Sequence, residues 1–219
     1  MTKPLLISDC DEVLLAFAMP FADHLDEVHG LSLSFESFAL SGNIRRKADG
    51  VAIADEHIRP LLDDFFENGM GRQTPVPGAV AALETLSAHY DIIILTNIDD
   101  RFRAARRAQI GALGMPYEVY CNSGPKGPAL ARLVAEHGDP AAVFIDDLPP
   151  HHGSAKAVVP EVHRLHMIAD TRLAGLIPPA PDAHARIDDW GAATRYLIDH
   201  ADTARGARHA DGQAAGVLP

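Results

Sequence analysis

Residues 5–17 read LLISDCDEVLLAF. The run from Leu5 to Ser8 breaks onto Asp9, Cys10, Asp11 and Glu12, and apolar residues resume at Val13, Leu14 and Leu15. A short apolar run without polar alternation is the pattern of a strand covered on both faces, as in a parallel sheet. Acids crowded at its end repel one another and resist burial unless protons, a metal or cationic partners offset them. The stretch therefore reads as a central strand that delivers carboxylates to a site. Residues two apart on an extended chain point the same way, which groups Asp9 with Asp11.

The strand pattern recurs downstream. Asp91 to Leu95 is β-branched and leads into Thr96-Asn97, and Ala141 to Ile145 ends at Asp146. Tyr117 to Cys121 and Val162 to Ile168 are weaker candidates. Between them lie helical patterns. Ala79 to Ala88 carries a Val80, Leu83 and Leu86 stripe, Asp99 to Leu113 comes after the second strand, and Pro128 to His137 places Leu130, Leu133 and Val134 on one face. Strands alternating with helices predict a doubly wound, Rossmann-like α/β parallel sheet. Residues 16–74 break the alternation: they hold no convincing strand, only helical segments such as Asp55 to Asn68. They predict a small helical cap inserted between 1–15 and 75–202, which together form the core. From Thr203 to Pro219 the chain is Ala/Gly-rich and aperiodic, the composition of an unstructured tail.

A chain of 219 residues suits one core domain with such an insertion. A net charge of −11 disfavours a nucleic-acid polymer or an anionic membrane as partner, while leaving room for a small anionic substrate at a locally positive site. Cys10 and Cys121 are too few for a disulfide framework and fit a reducing cytoplasm. No apolar stretch approaches the ~20 residues that span a bilayer, and the first one meets Asp9 too soon for a signal peptide.

In open parallel sheets, ligands sit beyond the carboxyl ends of the strands. The strong strands here lead into Asp9 and Asp11, then Thr96, then Asp146 and Asp147. Lys126 opens a helix in NSGPKGPAL, between the second and third of these strands. Carboxylates, a hydroxyl and an ammonium at one sheet edge are the parts of a Mg²⁺-dependent phosphoryl-transfer site. The hard cation takes oxygen ligands, and the lysine and hydroxyl hold phosphate oxygens.

Asp-x-Asp-x-Val at 9–13, an apolar strand ending in Thr96, Lys126 opening a helix, and a strand ending in Asp146-Asp147 together resemble the haloacid dehalogenase-like hydrolase superfamily. The match covers four motifs in order, from Leu5 to about Ala155. The resemblance implies Asp9 as a nucleophile that forms an aspartyl-phosphate. It implies Asp11 as general acid and then base, with its backbone carbonyl a Mg²⁺ ligand. Thr96 and Lys126 would clamp the phosphoryl group, Asp146 would ligate Mg²⁺ directly, and Asp147 through water or from behind. The dehalogenases of the superfamily lack an acid at the place of Asp11, so a phosphatase of a small phosphorylated metabolite is expected. Residues 16–74 match the helical cap of one branch, and NIRRK, from Asn43 to Lys47, is its densest positive cluster, making Arg45 and Arg46 candidate substrate ligands together with Asn97. Asp11-Glu12-Val13-Leu14 with Phe17 is similar to deoxyribonucleotidase members, in which such an aromatic lines the substrate pocket; Glu12 departs from the glycine common there. A 5′-nucleotidase, a phosphotransferase and a catalytically weak ligand-binding relative are the alternatives.

Plainer readings stand beside these. Thr96 alone is an ordinary helix N-cap, and Lys126 alone a surface lysine. Arg45, Arg46 and Lys47 make an ordinary solvated face. Adjacent histidines rarely share a metal, so His151 and His152 read as a helix start or site rim, and His163 and His166 as structural. Cys10, between two acids, should have a raised thiol pKa. A receiver domain also uses acids, a Thr and a Lys, but in it the paired acids precede the lysine.

Overall fold

The computed structural model describes residues 3–35 and 39–214, with side chains as far as Thr203. A six-stranded, all-parallel sheet runs in the order β5-β4-β1-β6-β7-β8. The strands are β1 (Leu5–Ser8), β4 (Asp91–Thr96), β5 (Glu118–Cys121), β6 (Ala142–Asp146), β7 (His163–His166) and β8 (Ala185–Arg186). β1 lies between β4 and β6, with Ser8 opposite both Ile94 and Ile145. The carboxyl ends of these three strands are therefore neighbours, as the doubly wound reading requires.

Both faces of β1 are dry, which explains its unbroken apolar run. Leu5 and Ile7 pack with Ile93, Leu95 and Phe144 against α5 (Gly127–Glu136) and α6 (Pro149–Val158). Leu6 faces the other way, with Ile92, Ile94, Val143 and Ile145, onto α3 (Ala79–Leu86) and α8 (Trp190–Ala214). Trp190 fastens α8 to the loop after β1, its Nε1 donating to the Val13 carbonyl at 2.9 Å. This helix runs on to Ala214, through most of the stretch from Thr203 to Pro219 expected as an unstructured tail; residues 215–219 lie outside the described residues.

Residues 16–74 hold α1 (Ala18–His29), α2 (Ile58–Asp64) and a π turn over Phe65–Gly69. They also hold strands, which corrects the all-helical expectation: β2 (Leu31–Leu33) pairs antiparallel with β3 (Ile44–Arg46). Three-residue strands are too short to show alternation, so only their pairing reveals them. Phe21, Leu25, Leu31, Ile44, Phe65 and Met70 form a separate apolar cluster here. Asp64 ties the two helices by accepting from His24 Nε2 at 2.7 Å and His29 Nε2 at 2.8 Å.

Candidate active site

Asp9 extends β1 by one rung, its N–H donating to the Ile145 carbonyl at 2.8 Å. The chain then turns back on itself, with the amides of Leu14 and Leu15 both donating to the Cys10 carbonyl. Glu12 takes the left-handed conformation this turn requires, at φ 62°. Residues with a Cβ rarely adopt it, and glycine at that place would adopt it freely. The Glu12 side chain offsets the cost. It accepts from the amides of Phe17 (2.8 Å) and Ala18, two donors at the start of α1 without partners inside the helix. Glu12 thus belongs to α1, which accounts for one of the crowded acids of the opening stretch.

Asp9, Asp146 and Asp147 are buried together, with one carboxylate oxygen of each within 4.8 Å of the others. Lys126, wholly buried, bridges two of them: its Nζ lies 2.7 Å from Asp9 Oδ1 and 2.7 Å from Asp146 Oδ2. Asp146 Oδ1 also accepts from the Leu148 amide at 2.8 Å. Burial raises the pKa of Asp9, opposed by Lys126 and reinforced by Asp146. Burial again, then Asp146 and Asp9, raises that of Asp147 well above the carboxylate norm. Three carboxylates thus face one ammonium, an excess of negative charge in a dry place with only oxygen donors. That donor set fits a hard divalent cation such as Mg²⁺.

Lys126 occupies the N-cap position of α5, where its reach depends on the next residue. A Cβ on Gly127 would lie 2.3 Å from the Ser154 carbonyl oxygen. Only glycine lets α5 begin so close to α6, with the Gly127 amide donating to Ser154 Oγ at 2.9 Å.

Asp11 lies outside the carboxylate cluster among the described residues. Its Oδ1 accepts from Gln73 Nε2 at 2.7 Å and from Arg106 Nη2 at 3.0 Å, while its Oδ2 accepts from Arg106 Nη2 at 3.1 Å. Thr96 Oγ1, fully buried, donates to the same Oδ2 at 3.4 Å. Thr96 does not cap a helix; Asp99 takes that part, accepting from the Arg101 amide. Arg106 is completely buried in α4 (Arg103–Ala112) and also donates to Gln73 Oε1 at 3.0 Å. Neither Arg106 nor Gln73 was among the residues expected at the site. A signal for the first was present: Phe102, Arg106 and Ile110 recur every four residues, and all three are buried, so an arginine interrupts an otherwise apolar stripe.

Above these groups opens a cavity of about 260 Å³. Asp9, Asp11, Asn97, Asp147, Phe17 and His151 all line it. Asn97 is held by its neighbours, donating to the Gly124 carbonyl at 3.0 Å and accepting from Asn122 Nδ2 at 2.8 Å. Arg45 and Arg46 do not line it. They are exposed on β3, where Arg46 pairs with Asp49 and Arg45 donates to the Gly50 carbonyl. The local turn takes up both cations. His151 and His152 stand in the first turn of α6. His152 is fully buried, with Nε2 3.0 Å from the Asp146 carbonyl, and burial lowers its pKa to about 4. Burial raises the Cys10 thiol to about 12. The direction is the expected one, although desolvation rather than the flanking acids is its largest cause.

Comparison with protein-family models and with curated proteins gives no match. Among solved structures, the chain is similar to a HAD family hydrolase of Deinococcus radiodurans R1 with bound phosphate and sodium, at TM-score 0.63 and 18% identity over 91% of this chain and 96% of that one. A predicted phosphoglycolate phosphatase of Haemophilus somnus 129PT gives TM-score 0.62 and 16% identity over 90% and 99% of the two chains. An L-2-haloacid dehalogenase gives 0.59 and 11% over 89% and 99%. At such identities the likeness speaks for architecture, and the chemistry must rest on the side chains. The parallel sheet, its strand order and these neighbours together establish that this chain has the fold of the haloacid dehalogenase-like hydrolases.

Proposed function

We propose that this protein is a Mg²⁺-dependent phosphatase of a small phosphomonoester, working through an aspartyl-phosphate on Asp9. The observation that carries the reading is the buried cluster in which Lys126 joins Asp9 to Asp146 beside Asp147, with Asp9 and Asp147 lining a cavity and Lys126 and Asp146 behind them. Asp9, Asp146 and Asp147 would hold the cation, whose bound charge supplies stabilisation for the developing charge on phosphoryl oxygens. The rest is the work of the chain. Lys126 fixes the Asp9 carboxylate and shares the charge of the incoming phosphate. An Asp9 oxygen attacks phosphorus as the ester oxygen departs, and water later cleaves the acyl phosphate. Asp11 is assigned the proton transfers at the leaving oxygen and then at that water. Its oxygens are engaged by Arg106, Gln73 and Thr96, so this duty requires a side-chain rotation that releases them. Orienting the phosphate is assigned to Asn97, in the cavity wall, and to Thr96, whose buried hydroxyl rests on Asp11 and would serve once Asp11 has turned away.

Residues 16–74 serve in this reading as the cap that closes the cavity and excludes water. The free cysteines, one buried and one partly so, agree with a reducing cytoplasm, and no described helix is long and apolar enough to cross a membrane. A 5′-nucleotidase is the second reading, favoured by Phe17 in the cavity wall.

The test is phosphate release with and without Mg²⁺ for wild type, Asp9→Asn and Asp11→Asn. Asp9→Asn should abolish release and leave the melting temperature unchanged or higher, since it removes one of the mutually repelling buried charges. Asp11→Asn should slow release by ~10²–10⁴, the range for lost acid–base help. Metal-independent release, or release surviving in Asp9→Asn, would overturn the assignment.

A further inference from the structure

The cavity over Asp9 has a polar floor and an apolar wall. Phe17, Leu33, Phe35, Leu40, Leu62 and Phe66 supply most of that wall, together with Leu148 and Leu173. No described lining residue is a lysine or arginine, and Ser34 is the one hydroxyl-bearing side chain among them. Asp9, Asp11, Asp147, Asn97 and His151 cluster where the phosphoryl group would sit, and Glu12 is engaged by the start of α1. The aromatic part of the wall is set by mutual packing: the Phe17 ring lies 5.2 Å from Phe21, 5.5 Å from Phe65 and 6.0 Å from Phe66. Such packing holds rotamers in place, so the wall is a formed surface.

On this basis we infer that the enzyme selects phosphomonoesters whose leaving group is apolar, an aryl or short alkyl alcohol, over sugar and polyol phosphates. The inference rests on the phosphatase reading above and gives its substrate class. A sugar in this space would bury hydroxyls against leucine and phenylalanine, which offer no hydrogen-bond partner, and unpaired buried hydroxyls are disfavoured. An aryl or alkyl group would lose only unfavourable contact with water. A second phosphate or a carboxylate on the leaving group would find no lysine or arginine among the described lining residues. A volume of about 260 Å³ lies just under the range of pockets for drug-sized ligands, which suits one ring or a short chain.

Benzyl phosphate and glucose 6-phosphate make a fair pair, since both are primary alkyl esters of similar ring size and differ in hydroxyl content. Acetyl phosphate, small and activated, tests the chemistry without needing the wall. The expected result is Asp9-dependent, Mg²⁺-dependent hydrolysis of acetyl phosphate, with kcat/KM for benzyl phosphate at least ~10-fold above that for glucose 6-phosphate, the lower end of discrimination by an apolar pocket. In Leu62→Asn the benzyl-to-glucose ratio should fall toward unity; measured within one preparation, that ratio is insensitive to loss of folded enzyme. Acetyl phosphate turnover with equal or reversed preference between the two esters would overturn the substrate class and leave the phosphatase reading standing. No turnover of any of the three would overturn both.

Discussion

Two buried cations flank the end of β1, and they hold their carboxylates differently. Lys126 enters from the N-terminus of α5 and stands as a point charge between Asp9 and Asp146, both almost wholly buried. Arg106 comes from the middle of α4 and meets Asp11, whose side chain is 18% exposed, with Gln73 and Thr96 completing the contacts. The first arrangement leaves Asp9 facing the cavity with its charge shared; the second occupies the oxygens of the residue assigned to proton transfer. A compact, rotatable ammonium suits a site where a third anion must join, whereas a planar fork with several donors suits holding one side chain in one orientation. The two aspartates, with only Cys10 between them, are thus set apart by their cationic partners as much as by the chain.

The largest effect expected from breaking this comparison is Lys126→Met. Asp9 and Asp146 would lose their shared partner in a dry place, and breaking a buried pair costs about 3–5 kcal/mol. Denaturant melts should show a loss of that size, with phosphate release falling below detection. Asp9→Asn in that background should restore part of the stability by removing one uncompensated charge, but no activity. Arg106→Met should cost less, about 1.5–3 kcal/mol, the range for hydrogen bonds to a charged group, because Asp11 can still turn to solvent. If the pairing is what orients Asp11, then Arg106→Met and Asp11→Asn should combine less than additively in turnover, which a double-mutant cycle measures. Full additivity would assign Arg106 to stability alone.

A smaller effect sharpens the view of the third acid. Glu12→Gly removes backbone strain at φ 62° and also removes the acceptor for the Phe17 and Ala18 amides. These changes oppose one another, so the net should stay within about 1 kcal/mol. Turnover should fall no more than a few-fold. The smallest effect concerns Asp64, far from the sheet edge. The hydrogen bond from His24, with that from His29, holds its pKa down to about 2. A depressed carboxylate contributes stability that is present above its unfolded value near 4. That contribution is lost as the pH falls from about 4 through 2. Asp64→Asn should therefore lower the melting temperature slightly near pH 7, leave it unchanged at the acid end, and so flatten the acid limb of the curve.

The three central strands were legible because β1, β4 and β6 are essentially apolar runs, the pattern of strands covered on both faces; β7, which reads His-Arg-Leu-His, and the two-residue β8 carry no such run. The short pair β2 and β3 was not legible, because three residues carry no period and the pairing partner lies thirteen residues away, as Ser32 opposite Arg45 shows. Arg45 and Arg46 looked like phosphate ligands because a sequence displays charge without direction; Asp49 and the Gly50 carbonyl, in the adjoining turn, take them up. Arg106 was hidden by the opposite effect. It sits among Arg101, Arg103 and Arg107, and only its place on the stripe with Phe102 and Ile110 sets it apart.

By itself the sequence determined which strands end in acids, hydroxyl and lysine, and hence that these groups gather at one sheet edge, since a parallel sheet puts all its strand ends on the same side. Only the tertiary structure decided the partner of each acid. Asp9, Asp11 and Glu12 are nearly contiguous in the chain, yet they answer to Lys126, Arg106 and the first amides of α1. The pairing of a buried charge depends on which distant groups the packing brings within about 3 Å, and no local pattern records that distance. The apolar wall over the site has the same origin: Phe17, Phe35, Leu62 and Leu173 come from separate segments, and the cavity among them exists only where those segments meet.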